Sequence, residues 1–542
     1  MGRLTFVLSL ALAACEPPPT RIAPTHDGGV AVDAIPRPDA APSPDAPRAP
    51  ALVELSPSIG TYVVLAEDDL VQAAGAFAEH RAAQGYAARV HRVSDLVAAP
   101  AAPQALVAAA RKLLAGRKRP VHLLLLGDAP GPGEKTSGRI PALPCTNHLG
   151  GCWTDNDYAD LDADGLPDVA VGRVPARSTR EALAYLAKLT AHEGSYQPGA
   201  WNRRVSLYTG QGYYGAATDT LIEMAMMEGL KRVDHAFDIV GVYNNAKSPY
   251  YYTPFTEKVV DLFNQGNLFV VYVGHGSSSS TSGLTTSELE TIHCQHRLPG
   301  AFFFACYNGA YVGPDDSVAE AMLEKPDGAI VVFASSDESH PYGNAVLLHE
   351  LTRVLLGRRP ATYGEGLRLV KRALVEHTDE FRELLDAFAL LDVPPAEQPV
   401  VRAEHVKLYN LLGDPAASIG FPRSTVSFDP VVGGSFKDGK LAVSGRAPGV
   451  TQGTALVTFE VERDVLLHPV TAVDPYSPDQ ATVQANWSKA VDKVVTSRTV
   501  PVSQGAFTAE LTWTPPLPGD AFYVKVYAES AAADSFGVVK VP

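Results

Sequence analysis

The chain reads as an α/β protein, two doubly wound α/β lobes followed by a C-terminal β-sandwich. Three features carry that prediction. Apolar runs of five or six residues alternate with amphipathic helical stretches, the spacing of βαβ units in a parallel sheet. Two of the runs, Leu268–Val273 and Ala301–Ala305, are apolar or aromatic throughout, as strands buried on both faces are. From about Phe421 no helical period is found, and short strands are split by Pro, Gly and Asp turns. The boundaries drawn from this are 1–15 (signal), 16–50 (tether), 51–200 and 201–420 (the two α/β lobes) and 421–542 (the β-sandwich).

In chain order, Arg3 and the apolar stretch Leu4–Leu12 lead into Leu12-Ala13-Ala14-Cys15, which looks like a bacterial lipoprotein cleavage box with Cys15 as the lipidated residue. Residues 16–50 hold 10 prolines and almost no large apolar residue, so they form an extended spacer rather than a core. This predicts export to the cell envelope, on the periplasmic or outer face, and membrane attachment through the lipid alone. No other run approaches the ~18 apolar residues of a membrane span. A net charge of −15 argues against nucleic acid as a partner. With 542 residues, 46% of them hydrophobic, there is chain enough for two or three cores.

The first lobe reads strand Thr61–Leu65, helix Leu70–Gln84, strand Ala88–Val93, helix Gln104–Ala115 and buried strand Val121–Leu126. Gly131-Pro132-Gly133 lacks the spacing of a phosphate loop, and its proline removes a needed donor, so no organic cofactor is predicted. Cys145 and Cys152 bracket a loop with His148; a disulfide suits an oxidising compartment, and a zinc site is the alternative. Asp160, Asp162 and Asp164 with Gly165 match the first half of a calcium loop, and Asp168 follows. Val171 stands where the bidentate Glu of an EF-hand belongs, so the segment is a structural calcium loop of another kind or a plain acidic turn. The helix Thr179–Glu193 closes the lobe.

The second lobe begins at Trp201 and the strand Arg204–Tyr208, followed by Gly210–Gly215, Asp219 and the helix Thr220–Leu230. Its chemistry sits at two strand ends. Leu268–Val273 breaks at Gly274-His275-Gly276, and Ala301–Ala305 breaks at Cys306-Tyr307-Asn308-Gly309, 31 residues later. The carboxyl edge of a parallel sheet is where ligands bind. A thiol beside an imidazole is an activated nucleophile, and the two need only be neighbours in space. Backbone N–H groups near Gly276 and Cys306 would hold an oxyanion. His293-Cys294-Gln295-His296 is too compact for a metal set and reads as a surface turn. His340, in the polar loop after the strand Ala329–Ala334, ranks below His275 as a base.

Val273-Gly274-His275-Gly276-Ser277 together with Phe304-Ala305-Cys306-Tyr307-Asn308-Gly309 resembles the gingipain-type cysteine peptidases of family C25, relatives of the caspases. The likeness runs from Leu52 to Phe421 and includes Gly172-Arg173-Val174-Pro175 and Tyr409-Asn410-Leu411-Leu412-Gly413-Asp414-Pro415. It implies caspase-like lobes and a cysteine endopeptidase acting on protein or peptide substrates. Cys306 would be the nucleophile and His275 the general base and acid. A third, acidic member is implied some 55 to 60 residues before the histidine; Asp219, 56 residues ahead, fits, and also suits a helix N-cap. The resemblance further implies that Ser335–His340 lines the pocket for the residue before the scissile bond, and that the C-terminal module is Ig-like. The rival reading is a non-catalytic, calcium-stabilised adhesion or assembly lipoprotein that keeps the peptidase fold.

Overall fold

A computed structural model describes residues 59–98, 102–194, 196–210, 212, 223, 226–390, 392–429 and 439–541. Cys15, the tether and Asp219 lie outside the described residues. The strands of the α/β part are β1 (Gly60–Ala66), β2 (Tyr86–Arg92), β3 (Val121–Leu126), β4 (Leu143–Asn147), β5 (Gly150–Thr154), β6 (Ala170–Val174), β7 (Arg204–Thr209), β8 (Asp238–Tyr243) and β9 (Phe269–Val273). There follow three two-residue strands, β10 (Gly276–Ser277), β11 (Ser280–Thr281) and β12 (Leu284–Thr285), then β13 (Gly300–Phe304), β14 (Val331–Ser335) and β15 (Tyr409–Leu412).

Ten of these form one sheet, in the order β2-β1-β3-β6-β15-β14-β13-β9-β7-β8. The two lobes are therefore halves of a single sheet rather than two separately wound ones. The join is β15, which runs antiparallel to β14 and meets β6 through Leu412↔Arg173. Every residue of β15 is buried. A short strand with apolar neighbours on both sides gives no sequence signal of which sheet it belongs to, and here it belongs to both halves. The remaining pairs are parallel, and β3, β13 and β14 are buried along their whole length, which is why they read as unbroken apolar runs. Phe269 and Phe302 meet edge to face at 5.3 Å inside this core.

The two motifs flanking the join carry buried ion pairs. Arg173, fully buried, grips Asp155 with two nitrogens at 2.7 and 2.8 Å and donates to the carbonyls of Gly127 and Ile140. Asp414 accepts from Tyr62 Oη at 2.7 Å and pairs with Arg81 at 3.0 Å, while its own N–H donates to Tyr185. Arg81 reaches on to Glu193. Charges this deep persist only when fully hydrogen-bonded, and removing one partner would leave the other stranded. Gly172 allows the close approach at the join: a Cβ there would sit 2.5 Å from the carbonyl oxygen of Gly413.

The C-terminal part holds β16 (Ser424–Thr425), β17 (Ser427–Phe428), β18 (Lys440–Arg446), β19 (Gln452–Val461), β20 (Val494–Ser503), β21 (Ala506–Thr512), β22 (Phe522–Glu529) and β23 (Asp534–Val541). They are hydrogen-bonded in one order, β16-β23-β22-β19-β20-β21-β18-β17. β20 and β21 pair only at their hairpin end, Ser503↔Ala506, and Leu441, Phe459, Leu511 and Val526 share one core. The helix Gln480–Val491 corrects the prediction that this part lacks helices. Half of its residues are polar and it buries only Val483, Asn486 and Ala490, so no apolar stripe announces it. It lies against β8, with Trp487 Nε1 donating to the Gly241 carbonyl. Arg463 donates to four carbonyls of the α/β part, those of Leu230, Val233, Asp234 and Phe237.

Candidate active site

The register of two neighbouring strands sets the site. β9 and β13 are parallel partners, with Val273 opposite Phe304. His275 and Cys306 are each the second residue past that pair. They therefore leave the sheet at the same level, on strands that parallel pairing keeps about 4.8 Å apart. Both runs are apolar and buried, with only Val273 half-buried, and both end where the sequence turns abruptly polar.

On the histidine side, the imidazole lies 3.0 Å from the carbonyl oxygen of Gly212, through Nε2. A carbonyl only accepts, so Nε2 carries the proton and Nδ1 is the basic nitrogen. Gly212 was not singled out in the sequence, since a backbone acceptor leaves no residue-type signal. The strand end is held by Tyr272, whose hydroxyl donates to the His275 carbonyl at 2.5 Å and accepts from Ser282 N–H at 2.9 Å. The ribbon β10–β12 that follows is closed by Asn308, whose amide donates to the carbonyls of Ser277 and Ser280 at 2.7 and 2.8 Å.

On the cysteine side, Cys306 as a whole residue is 6% exposed. Ser339 N–H donates to its sulfur at 3.4 Å, and the Ser339 hydroxyl lies 3.8 Å away. That hydroxyl accepts from Asn344 at 2.9 Å, and Asn344 accepts from Tyr409 Oη at 2.6 Å. Sequence reasoning missed Asn344, and it placed Ser339 and Tyr409 only within longer stretches, the pocket loop and the Tyr409–Pro415 motif, without giving either a role. Ser339 sits in the loop assigned to the pocket, but a single hydroxyl in a Ser-rich stretch does not stand out. Tyr307, next to the thiol, adopts a left-handed φ of 61°, and its backbone N–H donates to the Asp337 carbonyl at 3.0 Å. Gly309 N–H donates to the Ser335 carbonyl at 2.8 Å. The loops after β13 and β14 are thus tied together beneath the sulfur.

Gly276 stands between the two halves. A Cβ added there would meet the Cys306 carbonyl oxygen at 2.7 Å and the Asn308 side chain at 2.7 and 2.8 Å. Only a residue without a side chain lets the histidine loop lie this close to the cysteine loop.

The hairpin β4–β5 carries a disulfide between Cys145 and Cys152. It packs on the pocket loop: Asn147 donates to the Glu338 carbonyl, and Trp153 N–H to the Ser336 hydroxyl. His148 sits at the hairpin end, 2.7 Å from Glu404, with its ring 5.1 Å from that of His340. His340 itself caps the helix Pro341–Leu351 and pairs with Asp392 at 3.1 Å. Its imidazole is committed to structure.

Asp160, Asp162 and Asp168 bring carboxylate oxygens within 4.8 Å of one another. Asp160 accepts from Ala163 and Gly165 N–H, and Asp168 from Leu161 N–H, so the turn itself gathers them. Asp164 is not in that group; its carboxylate accepts from Leu166 N–H at 2.8 Å. Of residues 293–296, read as a surface turn, His293, Gln295 and His296 are exposed as expected; Cys294 alone departs from that reading, being fully buried, and burial pushes its thiol up to about 12.

The model of peptidase family C25 matches residues 56–420. Gingipain R2 of Porphyromonas gingivalis is 32% identical over 87 residues, 15% of this chain and 12% of that protein. Gingipain R1 of the same organism is likewise 32% identical over 87 residues, 15% of this chain and 9% of that protein. The chain therefore spans only a small fraction of the curated relatives it matches. The crystal structure of gingipain R (RGPB) superposes with a TM-score of 0.50 at 17% identity, covering 91% of this chain and 100% of that one. The solved structure of a further protease gives a TM-score of 0.53 at 14% identity, covering 90% of this chain and 98% of that one. At these identities the structures speak for the fold.

Proposed function

The chain belongs to peptidase family C25, and we propose that it is a cysteine endopeptidase whose nucleophile is Cys306 and whose general base and acid is His275. The observation that carries this reading is the register of β9 and β13, which brings both residues off the carboxyl edge at one level. In the proposed reaction His275 Nδ1 takes the thiol proton as Sγ attacks the scissile carbonyl carbon. The carbonyl π bond breaks and its electrons go to oxygen, held by backbone N–H groups near Gly276 and Cys306. The intermediate collapses with cleavage of the C–N bond, and the imidazolium gives its proton to the leaving amine. Water, deprotonated by the same imidazole, then attacks the thioester; the C–S bond breaks and the thiolate takes back its proton.

Tyr272, Asn308 and the Gly212 carbonyl are read as positioning groups for the histidine, and Ser339 as one for the sulfur. Asp219 keeps its place in the proposal as an acidic group that shares the Nε2 proton with the Gly212 carbonyl and steadies the imidazolium formed when Nδ1 is protonated. The test is hydrolysis of a peptide library by wild type, Cys306→Ala and His275→Ala. Both variants should lose activity, and the losses should not add, because the two residues act as a unit. A Cys306→Ala chain that cleaves every substrate of the parent would end the proposal.

Three further parts of the reading accompany it. Cys15 carries lipid and tethers the exported protein to a membrane of the cell envelope; among the described residues no helix is long and apolar enough to cross one. Asp160, Asp162 and Asp168 hold a structural calcium ion, an oxygen set that suits a hard cation. The C-terminal module is an Ig-like sandwich that packs against the catalytic half and takes no part in the chemistry.

A further inference from the structure

Far from the thiol, two histidines and two carboxylates converge where three helices meet. His349 and Glu350 lie in the last turn of the helix Pro341–Leu351. His377 follows the helix Tyr363–Glu376 as its C-terminal cap, and Asp379 caps the helix Glu380–Ala389. One donor atom from each of His349, Glu350 and His377 falls within 4.8 Å of the other two. His377 Nδ1 is 2.7 Å from Glu350 Oε1. Asp379 Oδ2 is 3.0 Å from His349 Nε2.

We propose that this cluster is a zinc site, with His349, Glu350, His377 and Asp379 as its four ligands. The donor chemistry is that of zinc: two imidazoles and two carboxylates, with no thiolate and too few oxygens for calcium. The spacing agrees. Zinc bonds of about 2.0–2.2 Å put neighbouring tetrahedral donors roughly 3.3 Å apart. The two imidazole–carboxylate pairs stand at 2.7 and 3.0 Å; His349, Glu350 and His377 need only a small movement to admit the ion, while Asp379, which touches His349 but lies outside the 4.8 Å group, must draw in to complete the tetrahedron.

Burial adds to the case. The Glu350 side chain has no exposure and that of His349 7%, so each has been taken from water for a directed contact, whereas His377 and Asp379, at 29% and 35%, leave an entry path. Arg353 occupies the other oxygen of Glu350 at 2.6 Å, which orients the carboxylate and leaves Oε1 for the metal. Two carboxylates offset the charge of the ion, and Arg353, 23% exposed, keeps contact with solvent.

The placement gives the site a use. The helix that supplies His349 and Glu350 begins at Pro341, directly after Ser339 and His340 of the pocket loop. A metal at its far end, about 15 Å along the axis, would pin that helix to the two that follow it. It would thereby brace the loop that touches Cys306.

The experiment uses the full chain carrying Cys306→Ala, so that the thiol cannot supply a site and failure of the peptidase reading does not affect the result. After chelation, one equivalent of cobalt(II) should give the strong visible absorption of a four-coordinate nitrogen and oxygen site. Zinc should displace it and raise the melting temperature. His377→Ala, at a partly exposed position, should weaken zinc binding by at least about 100-fold. Asp379→Asn, which keeps the helix cap, should weaken it by at least about 10-fold. Cobalt held by the carboxylates near Asp160 would show only the weak absorption of an all-oxygen, six-coordinate site and would survive His377→Ala. No strong absorption at one equivalent, or one unchanged in both variants, would overturn the proposal and leave the cluster as two ordinary imidazole–carboxylate pairs.

Discussion

Replacing Gly276 by alanine adds one methyl group at the narrowest point of the site. That carbon would lie 2.7 Å from the Cys306 carbonyl oxygen, 2.7 Å from Asn308 Nδ2 and 2.8 Å from Asn308 Oδ1. Ordinary contact needs about 3.4 Å or more, so three atoms must give way by roughly 0.6 Å. Asn308 cannot swing aside cheaply. It is fully buried, and its amide holds the carbonyls of Ser277 and Ser280, which would be left unpaired. The remaining escape is to push the backbone of Cys306 away from the histidine loop. Overpacking of this kind costs about 1–3 kcal/mol in stability. A misplacement of about 1 Å costs on the order of 100-fold in rate, so kcat/KM should fall about 10- to 100-fold. Gly313→Ala is the control, because a Cβ there meets nothing within 4 Å. Peptide hydrolysis and thermal unfolding of the two variants read the effect. If Gly276→Ala keeps wild-type turnover and melting temperature, the two loops are not packed as described.

Other expectations follow from separate parts of the molecule. Burial pushes the imidazoles of His122, His192 and His405 down to about 4, against about 6.5 in the unfolded chain. Between pH 6.5 and 4 the unfolded state therefore binds protons that the folded state refuses, and this contribution to stability is lost as pH falls. Glu67, Glu320 and Glu324, raised by burial to about 7, act in the opposite sense, so the clean measurement is a difference. In urea unfolding the stability deficit of His405→Gln should shrink by roughly 1.4 kcal/mol per pH unit across that window, and a constant deficit would contradict it. Millimolar calcium should raise the melting temperature and Asp162→Ala should abolish the rise; a melting curve indifferent to chelator leaves only an acidic turn. Cys15→Ser should move the protein from the membrane fraction to the soluble one, and identical fractionation would refute the anchor.

The core strands were readable because residues buried on both faces are apolar without interruption, and Leu268–Val273 and Ala301–Ala305 are of that kind. Their breaks at His275 and Cys306 were readable for the same reason, since the polarity changes abruptly at the sheet edge. What could not be read is how strands distant in sequence associate. Tyr409–Leu412 looks like any short buried strand, yet its pairing with both β14 and β6 turns two lobes into one sheet. Register was hidden too, although it decides that Val273 faces Phe304. The positioning groups escaped for a chemical reason. The Gly212 carbonyl and the Ser339 N–H are backbone atoms, which every residue possesses. The helix Gln480–Val491 escaped because its buried face is small and in part polar.

The most direct measurement of the central claim is the rate at which iodoacetamide labels each free cysteine of the folded protein at neutral pH, mapped by mass spectrometry. Cys306 sits at the sheet edge with an N–H donor on its sulfur, whereas Cys294 is fully buried with its thiol pushed up to about 12. The account predicts rapid labelling at Cys306 and none at Cys294, with His275→Ala slowing the reaction at Cys306 and labelled protein losing its peptidase activity. A Cys306 that reacts no faster than Cys294, or at a rate indifferent to His275, would contradict it.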